Sequence, residues 1–308
     1  MAQLVYFRCM SHTIIGIDAG GTKISSALIS PKGKILKKEK IPTETSKGKE
    51  AVMANIIKSI ESVWHKDTKA IGIGMAGLID HKNGIFHFGP NFPKNFKDVP
   101  LAALLKKRFK VPVSLDNDVH CFTLAEAKFG AAKRLSSVVG LTLGTGIGGG
   151  IVLDGKIYRG RNNAAGEIGH TTIDLGSKSV CGCGKLGHFE ALSSGSAMSR
   201  IYKELTGKDI EPLAVEQSAN NGDVEAKKTF DIMSTGLAEG LSNIVLFLNP
   251  DMIVVGGGLA HVDILWKPAI KKLSASIIYP QLRDTPVVRS ILGGDANLLG
   301  AALITEKL

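Results

Sequence analysis

The sequence predicts an α/β protein built from two domains of similar design. Short apolar strands alternate with amphipathic helical segments along the chain, a pattern typical of a mainly parallel sheet with helices on both faces. A strand, a glycine-rich turn and a returning strand occur twice, about 125 residues apart. The 308 residues are enough for two domains. We therefore expect a duplicated architecture with a cleft between its halves.

The elements of the first half follow from apolar runs and from the residues that end them. Val52, Ile56 and Ile60 are spaced as on one face of a helix, Pro100 precedes a second helix, and Gly130 ends a third. In chain order we expect a strand over 14–18, its return over 24–30, a helix over 50–64, a strand over 70–75, a helix over 101–109, a strand over 111–115 and a helix over 119–129.

The second half repeats this opening. We expect a strand over 138–143, a glycine turn over 144–150, strands over 151–153 and 156–158, a helix over 224–248, a strand over 252–255 and a final helix over 298–304. Asn249 and Pro250 form the stop signal of the long helix.

The composition excludes several classes of protein. Hydrophobic residues make up 44% and charged residues 21%, as in ordinary soluble domains. The net charge is +10, but the basic residues are scattered, so we expect no nucleic-acid partner. No uncharged stretch reaches the ~18 residues of a membrane span, and no leader precedes the first strand, so we expect a cytoplasmic protein.

Two glycine-rich turns have the composition of phosphate-binding loops. The first supplies a carboxylate, backbone amides, a hydroxyl and an ammonium group, on Asp18, Gly20, Gly21, Thr22 and Lys23. Such a turn can form an anion-binding nest in which the Asp holds Mg²⁺ or its water, although a tight hairpin has the same sequence.

The second glycine-rich turn begins Gly144, Thr145, Gly146 and continues to Gly150. A strand follows it, so it is neither a P-loop nor a dinucleotide-binding motif. Paired with the first turn on a duplicated fold, it predicts a second phosphate-binding loop.

Further motifs occur in order along the chain: 74–77, 117–118, 166–170, 181–190 and 256–258. With the two turns, they make the chain resemble the ROK family of the actin-like ATPase superfamily, from about Ile14 to the C-terminus. The resemblance implies a two-domain actin-like ATPase (ribonuclease H-like) fold with an interdomain cleft. It also implies that both turns hold the phosphates of ATP and that Gly256, Gly257 and Gly258 lie near the adenosine.

Asp118 is the candidate catalytic residue. A sugar hydroxyl is a poor nucleophile, and a carboxylate must accept its proton during attack on phosphorus. The resemblance assigns this general base to Asp118 and a sugar hydrogen bond to Asn117. Alternatively, Asp118 is only the N-cap of the helix that follows.

The other sugar contacts are implied by the same resemblance. Glu167, His170 and Glu190 would supply carboxylate and imidazole groups for the hydroxyls of a hexose. Asn91 matches the family loop that contacts the sugar from the small domain, although an Asn in a Pro-rich turn is commonly a turn former.

Four N and S ligands suggest a metal site. Cys181, Cys183 and His188 lie in one loop and His170 lies eleven residues before it, a set suited to structural tetrahedral Zn²⁺. Two free thiols and two ordinary histidines are the alternative. The remaining histidines, His120 among them, have no ligand-like neighbours in sequence and are expected to be surface or packing residues.

The sequence thus predicts an ATP-dependent, Mg²⁺-using hexokinase, with glucose as the default substrate. Kinases of N-acetylmannosamine, N-acetylglucosamine or fructose are alternatives, and polyphosphate stays open as a donor. A sugar-sensing transcriptional regulator is disfavoured, because fewer than twenty residues precede Asp18 and these cannot form a DNA-binding domain. We expect a homodimer, with a small domain over 1–121 plus 296–308 and a large one over 122–295 that holds the zinc loop.

Overall fold

The computed structural model describes residues 12–306, which form two compact units. The first contains the described residues up to Lys133, the segment Lys156–Ala165 and those from Gly294 onward. The second contains Arg134–Gly155 and Gly166–Gly293. Sheets with helices packed on them make up both units, which confirms the predicted α/β class. The first eleven residues, with Cys9, lie outside the described part.

The strands among the described residues are β1 (Thr13–Ala19), β2 (Lys23–Ile29), β3 (Ile35–Pro42), β4 (Thr68–Met75), β5 (Leu78–Asp80), β6 (Ile85–Phe88), β7 (Val113–Asn117), β8 (Val138–Leu143), β9 (Ile147–Leu153), β10 (Lys156–Ile157), β11 (Met252–Gly256) and β12 (Val287–Arg289). The α-helices are α1 (Lys49–Val63), α2 (Leu101–Phe109), α3 (Asp118–Lys128), α4 (Phe189–Ser193), α5 (Gly195–Thr206), α6 (Pro212–Asn220), α7 (Val224–Leu248), α8 (Asp263–Ser276) and α9 (Ala296–Leu303).

The sheet of the first unit has the strand order β3-β2-β1-β4-β7. β1 is antiparallel to β2 and parallel to β4, and β4 is parallel to β7. Ile14, Ile15 and Ile17 of β1 are fully buried, as expected for a central strand that is covered on both faces. The carboxyl ends of β1, β4 and β7 therefore lie at one edge of the sheet.

The last helix packs directly on this sheet. A Cβ on Gly16 of β1 would collide with the carbonyl oxygen of Leu298, and one on Gly72 of β4 with that of Ala301. The two glycines let the α9 backbone approach the strands more closely than any side chain would permit. This contact brings the C-terminal residues back to the first unit.

In the second unit, β9, β8, β11 and β12 lie side by side in that order. β8 is antiparallel to β9 and parallel to β11, and β11 is parallel to β12. Each unit thus combines a hairpin built around a glycine turn with parallel strands, as the repeated sequence pattern predicts. Buried Phe230, Leu237 and Leu241 of α7 form much of the core beneath this sheet.

Many element limits differ from the predictions by one or two residues, as in β7, predicted over 111–115 and observed over Val113–Asn117. Two boundaries differ by more. β9 begins at Ile147, because Gly148 to Gly150 pair with β8 as strand residues; a Cβ on Gly149 would collide with the carbonyl oxygen of Gly166. The first unit extends beyond Cys121 to Lys133, because α3 continues through Cys121 and packs on α9, where Gly300 faces the Cys121 carbonyl.

Among residues 12–306, none of the helices is both long and apolar enough to cross a membrane.

Candidate active site

Two carboxylates lie at the carboxyl edge of the first sheet. Asp18 is next to last in β1, and Asp118 begins α3 directly after β7. Gly74 of β4 pairs with Asp18, and a Cβ on it would lie 3.4 Å from the Asp118 Cα. The Cys121 sulfur would lie 3.1 Å from the same Cβ, so the absence of a side chain at Gly74 lets the start of α3 pack closely on β4. This edge of a parallel sheet is where α/β proteins bind their ligands.

The surroundings of these two carboxyl groups favour their protonated forms. Burial raises the pKa of Asp118 to about 7, and the negative charge of Asp18 adds to the shift. Burial also raises the pKa of Asp18, against a hydrogen bond with Asn297 of α9 and the charge of Lys23. A carboxylate with a pKa near 7 is well matched to proton transfer at neutral pH.

Asn117, not Asp118, caps helix α3. Its Oδ1 accepts hydrogen bonds from the backbone N–H of Val119 at 2.8 Å and of His120 at 3.4 Å, and its Nδ2 donates to the Gly77 carbonyl at 3.3 Å. Asp118 is the first helical residue, and its Oδ1 accepts from the Val119 N–H at 3.1 Å. The alternative that Asp118 is the N-cap is therefore wrong.

The first glycine turn is held from two sides. Gly20 N–H donates to the Lys23 carbonyl at 3.0 Å, and the Thr43 hydroxyl donates to the Gly20 carbonyl at 2.6 Å. A Cβ on Gly21 would lie only 2.5 Å from the Cβ of Asn91, so the loop with Asn91 packs directly on the turn. Thr22 and Lys23 are exposed. The predicted sugar contact Asn91 thus adjoins the predicted phosphate loop of the same unit.

A buried charge network lies beneath Asn117 and Asp118. Asp116 is fully buried, and its Oδ1 accepts from Asn117 N–H at 2.8 Å, His120 Nδ1 at 2.9 Å and Asn163 Nδ2 at 3.2 Å. Its Oδ2 accepts from Arg159 Nε at 2.8 Å. Burial disfavours the ionised form, but His120 and Arg159 outweigh it and hold the pKa of Asp116 well below its ordinary value.

Sequence reasoning missed this network. Asp116 lies in β7 and His120 lies in α3, so the helical spacing rule does not connect them in the sequence. Nothing near Arg159 or Asn163 indicates a partner more than forty residues earlier in the chain.

The second glycine turn is fixed by the start of α5. The Gly144 carbonyl accepts from Gly195 N–H at 2.8 Å, and the Thr145 carbonyl accepts from the Ser196 backbone N–H at 3.2 Å and from its hydroxyl at 2.9 Å. Gly144 N–H donates to the Gly146 carbonyl at 3.0 Å. These bonds use the carbonyls of the turn and fix its conformation.

A cavity of about 560 Å³ opens beside this turn, within the range of small-molecule sites. Its lining includes Gly144 and Thr145, apolar side chains, and three carboxylates on Asp209, Glu211 and Glu216. The third glycine turn adds Gly258, while Gly257 has φ of 89° and lies against the Leu143 backbone. The second and third glycine turns thus border one cavity.

The four predicted metal ligands lie together in the second unit. One ligand atom from each of His170, Cys181, Cys183 and His188 lies within 4.8 Å of all the others. Cys181 Sγ is 3.4 Å from His170 Nδ1, and Cys183 Sγ is 3.3 Å from His188 Nδ1. Two thiols and two imidazoles at such distances form a donor set that could hold one metal ion.

The predicted sugar contacts of the second unit adjoin this cluster. Glu190 Oε1 is 3.2 Å from Cys181 Sγ, and its Oε2 accepts from the backbone N–H of Ile147 at 3.0 Å. Glu167 Oε2 lies 3.9 Å from His170 Nε2, and both side chains are exposed. Glu190 therefore links the cysteine loop to the start of β9, directly after the second glycine turn.

Known proteins resemble this chain over nearly its full length. The model of the ROK family matches residues 14–307. A glucokinase of Thermotoga maritima is 36% identical over 310 residues, covering 96% of this chain and 97% of the relative. An N-acetyl-D-glucosamine kinase of Vibrio atlanticus is 30% identical, covering 95% and 99%. The crystal structure of a ROK family glucokinase from Streptomyces griseus in complex with glucose and AMPPNP matches with a TM-score of 0.80 at 30% identity, covering 95% of this chain and 98% of that one.

Proposed function

The chain belongs to the ROK family, and from this premise we propose that it is an ATP-dependent hexokinase. It transfers the γ-phosphoryl group of ATP to a hydroxyl of a hexose, with glucose as the first substrate to test. The observation that carries the proposal is Asp118, a carboxyl group with a pKa of about 7 at the carboxyl edge of a parallel sheet. The similarity to a glucokinase of Thermotoga maritima, and to the glucokinase of Streptomyces griseus solved with glucose and AMPPNP, supports the same reaction.

Asp118 acts as the general base in this proposal. Its carboxylate accepts the proton of the attacking hydroxyl while the oxygen bonds to phosphorus and ADP leaves. Asn117 caps the helix, so removal of the Asp118 charge leaves the N-cap in place. Asn117 has a second N–H on Nδ2, which can donate to a sugar hydroxyl.

ATP is the proposed donor. The cavity of the second unit provides apolar surface for a nucleoside, and its carboxylates can accept hydrogen bonds from ribose hydroxyls or a base amino group. The same three carboxylates would repel the chain of polyphosphate, which favours ATP. By the family resemblance, the proposed phosphate ligands are Lys23 and the backbone amides of the glycine turns. Asp18 would hold Mg²⁺ directly or through water, and this ion would neutralise charge on the phosphates.

The proposed sugar ligands are those that the family resemblance implies: Asn91, Asn117, Asp118, Glu167, His170 and Glu190. Carboxylates and amides are the groups that recognise the vicinal hydroxyls of a hexose. Exposed Glu167 and His170 have unused hydrogen-bonding capacity for such contacts.

We further propose a structural Zn²⁺ on His170, Cys181, Cys183 and His188. The donor set fits this ion, because all four positions of a tetrahedral site are filled by protein atoms. The ion would rigidify the loop from which Glu190 and His170 extend, and it has no position for a substrate water. Its role would be to hold sugar ligands in place.

N-acetylglucosamine is the second candidate substrate, because relatives at 30% identity have this kinase activity in their names. We also propose a cytoplasmic protein that forms a homodimer, since dimers are common in the family; light scattering on the purified protein would give the number of chains.

A coupled assay of ADP release over a panel of hexoses tests the proposed function. We expect turnover that requires both ATP and sugar, with glucose giving the highest kcat/KM and N-acetylglucosamine or N-acetylmannosamine giving lower values. Polyphosphate in place of ATP should give no sugar phosphate. Sugar-independent release of ADP at the same rate for every hexose would contradict the assignment.

A further inference from the structure

His120 is a buried histidine in the first turn of α3, the helix that Asp118 begins. Its side chain is 2% exposed, and it lies four residues after Asp116 and two after Asp118. The sequence alone suggested only a packing residue. In the structure it is hydrogen-bonded at both ring nitrogens.

Both ring nitrogens of His120 face hydrogen-bond acceptors. Nδ1 lies 2.9 Å from Asp116 Oδ1, and Nε2 lies 3.0 Å from the carbonyl oxygen of Ala165. A neutral imidazole has one N–H group and one ring nitrogen with a lone pair. It could donate to one acceptor, but its lone pair would face the lone pair of the other acceptor, which is repulsive. Only the imidazolium ion donates to both acceptors.

The charges around His120 are consistent with this state. Asp116 accepts four hydrogen bonds, including those from Arg159 and Asn163, and is therefore ionised. Burial lowers the pKa of His120, but the hydrogen bond and the negative charge of Asp116 outweigh it and raise the pKa. The charged or titratable groups facing this cluster are Asp116 of β7, Asp18 of β1, Asp118 and Cys121 of α3, His81 after β5, and Arg159 of the segment before Ala165.

We propose that His120 is a positioning residue of the phosphoryl transfer and that its ring is an imidazolium ion. The ring joins the catalytic helix α3 to the segment ending at Ala165, and it places a positive charge near Asp118. The inference rests on the proposed role of Asp118 as the base. The tie runs from α3 through the ring to the Ala165 carbonyl, and through Asp116 to Arg159 and Asn163. The nearby positive charge favours the ionised form of Asp118, which is the form that accepts a proton.

The charge of His120 should shift the pH dependence of kcat/KM in one direction. Burial and Asp18 raise the pKa of Asp118, and the charge of His120 opposes this rise. Without that charge Asp118 holds its proton to higher pH, so the acid limb of kcat/KM moves to higher pH. A residue that only packs would change kcat/KM by the same factor at every pH.

The His120→Gln variant in the full-length protein tests the inference. Glutamine fills similar space and can donate to one acceptor, but it carries no charge. We expect the acid limb of kcat/KM for glucose to move up by about half to one pH unit, which is about a three- to tenfold loss at pH 6 and little loss at pH 9. His65→Gln, in the loop after α1 and away from this network, should leave the profile unchanged.

A second measurement does not depend on turnover. In protein labelled with ¹⁵N-histidine, the two ring nitrogens of His120 should keep the chemical shifts of a doubly protonated ring up to pH 8, with His120 assigned as the signal lost in the variant. A ring that titrates near 6.5, or a loss in kcat/KM that is equal at every pH, would overturn the proposal. Wild-type protein without sugar-dependent turnover would instead overturn the proposed function, because the ring shifts are read without substrate.

Discussion

The carboxyl group of Asp118 occupies a position that costs stability. Its pKa rises from 3.8 to about 7, so the folded protein binds this proton more tightly than the unfolded chain does. The free energy of unfolding therefore falls, through this group, as the pH rises from about 4 to about 7. Such a loss is typical of functional sites, where a side chain is retained for chemistry.

The Asp118→Asn variant separates catalysis from stability. We expect kcat for glucose to fall by about 10²–10⁴, the contribution of a positioned acid–base group, and glucose affinity to change much less. At pH 8 the melting temperature should equal or exceed that of the wild type, because the variant removes a partly buried charge that Asp18 repels. Kinetics, calorimetry of glucose binding and a melting curve measure these quantities.

The matched control is Asp231→Asn, which removes an exposed carboxylate that pairs with Lys272 at 2.6 Å. It should leave kcat unchanged. If the Asp118 variant binds glucose and turns over at nearly the wild-type rate, another group is the base.

The pH dependence of kcat/KM in the wild-type protein gives a second prediction about Asp118. Asp118 must be ionised to accept a proton, so kcat/KM for glucose should rise with pH and level off above about 7. Below about pH 6 it should fall about tenfold for each pH unit. A profile that is flat from pH 5 to 8 would mean that no group with this pKa limits the reaction.

At the residue scale, the sequence could indicate only groups that lie in recognisable motifs. The roles of Asp118, Asn117 and the glycine turns stay predictions for the experiments above. Arg159 and Asn163 could not be found, because their partner Asp116 is distant in sequence and the contact exists only in the folded chain. His120 could not be interpreted either, since its charge depends on two acceptors from different elements.

At the scale of elements, the loop of 181–190 joins the metal cluster to a sugar ligand. Backbone hydrogen bonds fold this loop, among them Cys181 N–H to the Lys185 carbonyl at 2.8 Å and Gly184 N–H to the Cys181 carbonyl at 2.8 Å. The Cys181 thiol adds weak contacts with His170 and Glu190. A metal ion would replace these weak contacts with bonds of defined length and angle. The geometry of Glu190 would then depend on the metal.

The Cys183→Ser variant should lose the metal and raise the glucose KM, while kcat falls less because Asp118 is in the other unit. Losses of about 10–100-fold are usual when groups that orient a site are removed. Lys185→Ala, an exposed change in the same loop, is the control and should keep both metal and KM. If metal analysis of active wild-type protein finds no zinc, the proposed zinc site is wrong. If the variant loses the metal but its glucose KM is unchanged, the metal stabilises only its own loop and does not position sugar ligands.

Element boundaries were predictable where side-chain patterns are strong and uncertain where glycine replaces them. Helices α2 and α7 and strand β8 match the predicted limits. The early start of β9 was missed, because glycines read as a turn whereas here they pair with β8. The extent of the first unit could not be predicted, because it depends on the contact between α3 and α9, some 180 residues apart in sequence.

At the scale of the whole molecule, the fold class and the family follow from the order of the motifs. The predicted two-domain actin-like ATPase fold is confirmed by the ROK structures that match the chain. The first unit holds one glycine turn, beside Asp18, and the second unit holds two, which border the 560 Å³ cavity. The choice of hexose could not be predicted, because it depends on the volume around the sugar.

The most direct test of the central claim is a ³¹P NMR time course of the wild-type protein with ATP, Mg²⁺ and glucose. We predict that the γ-phosphate signal of ATP disappears as a hexose phosphate signal and ADP appear in equal amounts. Omission of glucose should stop the loss of ATP almost completely. Inorganic phosphate as the main product, or unchanged ATP with glucose and with the alternative hexoses, would contradict the assignment of this chain as a sugar kinase.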